Sequence, residues 1–146
     1  MRRIRIFWIG KSKEGFIKEA LDKYTRLIKR FLQLEIVTIK DEKGSDVDRI
    51  LKREEERVFK TVSEYVLLSE KGRLMNSVEF SDYLFAHEEI SFLLGSVYGV
   101  SEEVYRKAKD VLSLSPMTFT HELARVLLLE QIYRAVTIKK GMRYHY

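Results

Sequence analysis

Residues 90–113 read ISFLLGSVYGVSEEVYRKAKDVLS, and this stretch decides the fold class. Its first five residues form a largely apolar run that predicts a strand, and residues 111–113 predict a second, shorter strand. Between them, residues 101–103 predict the start of a helix, because serine caps helix N-termini and acidic side chains are favoured in the first turn. A strand, a helix and another strand in this order predict two parallel strands joined by a crossover helix.

The same alternation of strands and helices extends outward over the rest of the chain. Further strands are predicted at residues 3–9, 34–39 and 64–69, the last followed by a loop at 70–73. Further helices are predicted at about 16–32, from a cap at Ser45 to about Phe59, at 77–86, and from a cap at Thr120 to about Thr137. This order predicts an α/β fold, a mainly parallel sheet with helices on both faces. With no repeat or linker, we expect a single domain, residues 1–146.

Composition narrows the class of protein. The 146 residues are 45% hydrophobic and 34% charged, and they include no cysteine. Disulfide scaffolds, thiol catalysis and cysteine-based zinc sites are therefore excluded. Histidines occur only at positions 87, 121 and 145, so no metal site is predicted. The apolar runs are too short to cross a bilayer, and residues 1–5 do not resemble a signal peptide, so we expect a cytoplasmic protein.

Charge is distributed unevenly along the chain, whose formal net charge is +5. Residues 1–40 hold 11 basic and 4 acidic side chains, and residues 111–146 hold 5 basic and 2 acidic ones. The central part is acidic. Basic ends favour an anionic partner, with nucleic acid the first candidate, although solvated helix faces would give the same excess.

Four loops that follow predicted strands are candidate ligand sites, because parallel sheets bind ligands beyond the carboxyl ends of their strands. They are residues 10–13, 69–73, 95–100 and 114–120. Residues 10–12, Gly-Lys-Ser, lack the earlier glycine of a phosphate-binding loop and are interpreted as a plain turn. Residues 95–99 combine two glycines between a strand and a helix. Residues 112–120 surround the chain's one proline with hydroxyl side chains. They are either an ordinary connection or the wall of a pocket.

The last predicted helix is apolar on more than one side. Its core-facing positions are predicted to be Leu123, Val126, Leu127, Ile132 and Val136. Its remaining apolar side chains, Leu128, Leu129 and Tyr133, predict contact with a second copy of the chain. Its charged side chains, Arg125, Glu130 and Arg134, are expected to pair on a solvated face.

The chain ends in Arg143-Tyr144-His145-Tyr146, an unusual tail for a frayed terminus. Cations, stacking faces and a titratable ring in one place are typical of RNA recognition. Aromatic side chains that only dock on the fold are the alternative.

Three segments together resemble the RlmH family of SPOUT-class RNA methyltransferases. They are residues 93–101, residues 112–135 and the Tyr144-His145 ending. The resemblance implies a homodimer whose C-terminal region forms a trefoil knot. It also implies methyl transfer from S-adenosylmethionine to N3 of a pseudouridine in large-subunit (23S) rRNA of assembled ribosomes.

The resemblance also implies particular site residues. Those expected to bind the cofactor are Leu68, Ser69, Gly95, Ser96, Leu114, Ser115, Pro116, Met117, Thr118, Phe119 and Thr120. Those expected to face the nucleoside are Arg134, Tyr144 and His145, with His145 as the candidate base. Ser96 replaces a glycine and Thr120 a proline of the family pattern, and Ser96 favours an alternative: an RNA-binding, ribosome-associated factor without catalysis.

Overall fold

Strands and helices alternate through a computed structural model that describes residues 2–146; Met1, included in the predicted domain, lies outside the described residues. The strands are β1 (Arg3–Ile9), β2 (Gln33–Ile39), β3 (Val66–Leu74), β4 (Glu89–Leu94) and β5 (Asp110–Ser113). The helices are α1 (Gly15–Ile28), α2 (Val47–Thr61), α3 (Ser77–Phe85), α4 (Glu102–Lys107) and α5 (His121–Lys139). This order confirms the predicted alternation.

The five strands form one sheet in the order β2-β1-β4-β3-β5, and every neighbouring pair is parallel. The loops that follow the strands therefore all emerge at the same edge of the sheet, which we call the carboxyl edge. The predicted parallel sheet is confirmed; the trefoil knot stays a prediction.

Helices cover both faces of the sheet, as predicted. One apolar core includes Ile17 of α1, Phe80 of α3 and Ile132 of α5. The other core, on the opposite face, includes Val58 of α2 and Val104 of α4. The side chains of β1 contribute to the two cores in turn, because successive residues of a strand point to opposite faces of the sheet.

Two helix boundaries differ from the predictions. Helix α1 ends at Ile28 instead of continuing to about residue 32, yet Leu32 remains buried because a turn carries it back to the core. Apolar spacing cannot distinguish a helical turn from a tight turn that presents the same residues. Helix α2 is capped by Asp46, not Ser45, because the Asp46 carboxylate accepts a hydrogen bond from the backbone N–H of Arg49 at 3.3 Å.

The predicted loop at residues 70–73 is instead part of β3. Leu68 and Arg73 both pair with Leu112 of β5, so the residues between them bulge out of the ladder. Gly72 allows the close approach, since a Cβ there would lie 2.6 Å from the carbonyl carbon of Leu112. The bulge carries Ser69 to the carboxyl edge.

The predicted division of α5 into a core face and a spare face is wrong at Leu128 and Leu129, which are completely buried within the chain. Leu123, assigned to the core, is instead 38% exposed, and Leu127 is half-buried. A helix that is apolar on most sides gives no periodicity from which its inner face can be identified. Within residues 2–146, no helix is both long enough and apolar enough to span a membrane.

Candidate functional site

A cavity of about 330 Å³ opens at the carboxyl edge between the segments that follow β3, β4 and β5. Nine of the eleven predicted cofactor residues line it: Leu68, Ser69, Gly95, Ser96, Leu114, Ser115, Met117, Thr118 and Phe119. We call it the edge cavity. Residues from three separate loops thus meet in one place, because parallel strands end on the same side of the sheet.

Pro116 and Thr120 do not line the edge cavity. The Thr120 hydroxyl accepts a hydrogen bond from the backbone N–H of Leu123 at 3.3 Å and caps α5, as predicted. The loop before it is shaped by its own hydroxyls: Ser113 donates to the carbonyl of Ser115 at 2.8 Å. Pro116 and Thr120 therefore help to build the wall without facing the cavity.

Several lining residues were not predicted: Glu70, Leu94, Val97, Tyr98, Gly99, His121 and Ala124. Tyr98 and Gly99 lie inside a loop that the sequence already singled out, so treating that loop as a unit would have found them. Glu70 also lies in a candidate loop, residues 69–73, of which only Ser69 was assigned to the cofactor. For His121 and Ala124, only the packing of α5 against β1 shows that its first turn reaches the cavity.

The glycine-containing loop of the edge cavity is a tight turn. Ser96 and Gly99 exchange two backbone hydrogen bonds of 3.1 and 2.9 Å. A Cβ at Gly95 would lie 2.5 Å from the Gly99 carbonyl oxygen, and Gly99 has a φ of +81°. Both positions therefore require glycine.

The Ser96 side chain is turned toward helix α2. Its hydroxyl donates to the Glu54 carboxylate at 2.8 Å, and Glu54 also accepts a hydrogen bond from the Glu42 backbone N–H at 3.1 Å. Glu54 is only 2% exposed, and this burial raises the pKa of its carboxyl group. The extra hydroxyl at position 96 thus ties the glycine-containing loop to α2.

Arg125 was predicted to lie on a solvated face. This prediction is wrong, because its side chain is completely buried. Its guanidinium donates to the Ile9 carbonyl at 2.8 Å and to the Ser12 hydroxyl at 3.0 Å, and lies 4.9 Å from the centre of the Trp8 ring. It contacts no carboxylate within the described residues, and its Nε atom has no hydrogen-bond partner there. Burial lowers the pKa of Arg125 to about 10, so it stays charged at neutral pH.

The three residues predicted to face the nucleoside come together with Glu130, and we call these four residues the tail cluster. Arg134 donates to the Glu130 carboxylate through Nε and Nη2, at 2.9 and 2.6 Å, which confirms this predicted pair. The Arg134 guanidinium lies 4.9 Å from the centre of the Tyr144 ring, and Tyr144 meets Tyr133 edge-on at 4.9 Å. The tail is therefore docked on α5.

Two rings of the tail cluster, those of Tyr144 and His145, lie against its charged side chains. Burial, followed by the negative charge of Glu130, raises the pKa of Tyr144 to about 12. His145 Nδ1 lies 3.1 Å from Arg134 Nη1. Because a guanidinium can only donate, Nδ1 must accept, and the proton of the neutral ring then resides on Nε2.

The tail cluster lies apart from the edge cavity within one chain. Ala124 is the last α5 residue that lines the cavity, and Arg134 follows ten residues later on the same helix. At 1.5 Å per residue the two are separated by about 15 Å along the helix axis. None of the tail cluster residues lines the cavity.

No group of three or more histidine, aspartate, glutamate or cysteine side chains that could hold a metal ion occurs in the part of the chain from residue 2 onward. The site as described consists of loops, hydroxyls, one buried arginine and the tail cluster.

Solved structures resemble this fold. A protein of Bacillus anthracis superposes with a TM-score of 0.56 at 15% identity, over 98% of this chain and 99% of that one. A Haemophilus influenzae protein described as a probable methylase family protein gives 0.55 at 16% identity, over 94% of this chain and 66% of that one. At such low identity these likenesses show the fold alone.

Sequence comparison is more specific. Relatives named "Ribosomal RNA large subunit methyltransferase H" are 40% identical in Thermodesulfovibrio yellowstonii, over 100% of both chains, and 40% identical in Geobacter sulfurreducens, over 99% of both. The sequence model of a family described as "Predicted SPOUT methyltransferase" matches residues 2–145. The chain therefore belongs to the SPOUT methyltransferase family.

Proposed function

We propose that this protein transfers a methyl group from S-adenosylmethionine to N3 of a pseudouridine in large-subunit rRNA. The observation that carries the proposal is the edge cavity, in which nine residues implied by the family resemblance meet. The names of the full-length relatives support rRNA as the substrate. Such an enzyme would act where ribosomes are, in the cytoplasm.

The edge cavity suits S-adenosylmethionine in size and chemistry. Its volume of about 330 Å³ falls in the range that holds a small cofactor. Leu68, Leu114 and Phe119 offer apolar surface to the adenine, while Ser69 and the backbone of residues 115–119 offer polar groups to the ribose and the amino acid part. The Glu70 carboxylate places a negative charge in the wall, which favours a cationic ligand.

When bound, S-adenosylmethionine supplies a methyl group activated by a sulfonium centre. The protein must then hold the nucleoside in line and remove the proton that N3 loses as its new bond to carbon forms. We assign Arg134 the role of stabilising the negative charge that develops on the two imide carbonyls. Glu130 fixes its position through Nε and Nη2, while Nη1 contacts His145 instead of Glu130.

We assign His145 the role of the base that accepts the N3 proton of the nucleoside. In the free protein its Nδ1 accepts a hydrogen bond from Arg134 Nη1. When Nη1 turns its N–H to the nucleoside, Nδ1 is released and can accept the N3 proton. Tyr144, kept protonated by its raised pKa, holds the Arg134 guanidinium by ring contact and serves as a positioning residue.

We propose further that the protein is a homodimer and that each site is shared between two chains. The separation of about 15 Å between the edge cavity and the tail cluster leaves the site incomplete within one chain. Two α5 helices that pack antiparallel about a twofold axis would place the tail cluster of one chain beside the partner's edge cavity. Leu123 and Leu127, on the outer face of α5, supply apolar surface for this contact.

The direct test of the proposed function is calorimetric titration with S-adenosylmethionine, followed by mass mapping of rRNA. We expect binding in the micromolar range, and we expect ribosomes from cells that lack the protein to miss one methyl group on one pseudouridine. Adding the purified protein and the cofactor to those ribosomes should restore it. No heat of binding and no restored methyl group, with ribosome binding retained, would favour the non-catalytic RNA-binding factor.

A further inference from the structure

A second cavity, of about 320 Å³, lies beside the edge cavity and has no role in the proposed function so far. It is formed between residues 10–13, after β1, and residues 41–44, after β2. Ser96, Tyr98 and His121 belong to the walls of both cavities. The two cavities are therefore adjacent, and one extended ligand can contact both. We call this second space the lysine cavity.

Two of the three lysines in the lysine cavity are available to a ligand. Lys11 and Lys13 are exposed, and neither forms an ion pair with any residue between positions 2 and 146. The third, Lys43, pairs with Asp41 at 3.4 Å. Gly10, with a φ of +94°, makes the turn that presents Lys11 and Lys13 at the rim.

The carboxylates around the lysine cavity have other partners. Glu122 accepts hydrogen bonds from the backbone N–H groups of Lys13 and Glu14 at 2.7 and 3.3 Å. Glu54 accepts from the Ser96 hydroxyl, and Glu42 pairs with Arg57 at 3.4 Å. The carboxylates are thus bonded to other groups, and none of them pairs with Lys11 or Lys13 within residues 2–146.

Buried Arg125 lies beneath the same loop and adds positive charge there. It donates to the Ser12 hydroxyl and the Ile9 carbonyl, on either side of Gly10 and Lys11. It forms no ion pair within residues 2–146, and the charges of Glu122 and Asp41 offset its own only in part. The loop is therefore held in place next to a buried positive charge, which adds to the charges of Lys11 and Lys13.

We propose that the lysine cavity binds a phosphodiester of the rRNA strand adjacent to the target nucleoside, through Lys11 and Lys13. This inference rests on the proposed function. A nucleoside that reaches the methyl group must leave its stack, and its flanking phosphates then remain at the mouth of the site. The lysine cavity shares a wall with the edge cavity, so it is adjacent to the proposed methyl-transfer site. Phosphate contacts of this kind set the position of a strand without reading its sequence.

The test compares the double variant Lys11→Gln/Lys13→Gln with the control Lys29→Gln/Lys60→Gln. The control removes the same charge from exposed lysines at the C-terminal ends of α1 and α2, at the opposite edge of the sheet. Binding to ribosomes that lack the methyl group is measured at several salt concentrations, together with methyl transfer and calorimetric titration of S-adenosylmethionine. Lys11→Arg/Lys13→Arg serves as the variant that retains the charge.

We expect the Gln double variant to bind ribosomes about tenfold more weakly at moderate salt, with a salt slope smaller by about 0.7–0.9 for one lost phosphate contact. Its affinity for S-adenosylmethionine should match that of the wild type, which also shows that it folds. The Arg variant should bind like the wild type. Equal ribosome affinity and salt slope in the Gln double variant and the control would overturn the proposal.

The two proposals can fail separately. If the wild type neither binds S-adenosylmethionine nor transfers a methyl group, the proposed function fails. The comparison of ribosome binding between the two double variants still decides the lysine cavity, because it requires no turnover.

Discussion

Two arginines nine residues apart on α5 occupy opposite environments. Arg125 is completely buried, contacts no carboxylate within residues 2–146, and has its pKa lowered to about 10 by burial. Arg134 is partly exposed and paired with Glu130, and the hydrogen bond that it donates to this carboxylate raises its pKa. Arg125 holds the loop after β1, where it donates to Ser12. Arg134 contacts Tyr144 and His145 of the C-terminal tail.

This contrast shows that residue type and spacing do not determine the role of a charged side chain. Arg125 faces the sheet, where it donates a hydrogen bond to the backbone carbonyl of Ile9 and lies over the ring of Trp8. Arg134 lies beyond the part of α5 that reaches the cavity, where the tail covers it. We therefore assign a structural role to Arg125 and a catalytic role to Arg134.

The largest expected effect on stability comes from Arg125→Ala. It should lower the free energy of unfolding by about 3–4 kcal/mol, because it opens a cavity and leaves the Ile9 carbonyl and the Ser12 hydroxyl without their donor. Arg134→Ala, the matched substitution, should cost no more than about 1 kcal/mol. Urea denaturation followed by circular dichroism measures both. Equal losses would remove the contrast between the two arginines.

Activity should show the reverse order. Arg134→Ala should lower the rate of methyl transfer about 100-fold, which corresponds to about 2.7 kcal/mol of transition-state stabilisation, while the affinity for S-adenosylmethionine stays unchanged. Arg106→Ala is the control, since Arg106 forms a similar helical pair with Glu103 on α4, outside the tail cluster. A full rate in Arg134→Ala would exclude Arg134 from the chemistry.

The alkaline titration of Tyr144 tests the electrostatics of the tail cluster. Its pKa is raised to about 12 by burial and then by the charge of Glu130. A folded-state pKa above the ordinary value of about 10 means that docking of the tail is stabilised below pH 10, and that this contribution is lost as pH rises through about 12. Glu130→Gln should lower the pKa of Tyr144.

Ultraviolet absorbance of tyrosinate follows this titration, and the difference between the wild type and Tyr144→Phe isolates the one ring. A difference curve with its midpoint near pH 10, unchanged in Glu130→Gln, would show that the tail is not docked on α5.

The smallest effect is expected at Ser96. Because its hydroxyl is bonded to Glu54, Ser96→Gly should change the affinity for S-adenosylmethionine by less than about threefold and lower stability by about 1 kcal/mol, the value of one buried hydrogen bond. Calorimetry and denaturation measure the two. A large gain in affinity would mean that the Ser96 side chain obstructs the cofactor.

The sequence predicted the sheet well because its strands are apolar and evenly separated by helices, and it predicted most of the edge cavity through the family resemblance. It could not locate Arg125, since a charged residue in a helix that is apolar on most sides gives no sign of which way it points. Nor could it place Leu128 and Leu129 for the same reason. The bulge of β3 at Gly72 depends on close contact with β5, which no local pattern reveals.

The central claim is that the edge cavity of one chain and the tail cluster of another form one methyltransferase site, and mixing two inactive variants tests it most directly. Gly95→Val disrupts the edge cavity because its side chain would collide with the Gly99 backbone, and Arg134→Ala disrupts the tail cluster. Each variant alone should have no more than about one hundredth of the wild-type rate. After unfolding and refolding together, mixed dimers retain one intact site, so we predict about a quarter of the wild-type rate of methyl transfer to ribosomes. No recovered activity, from variants shown to form mixed dimers, would contradict the account.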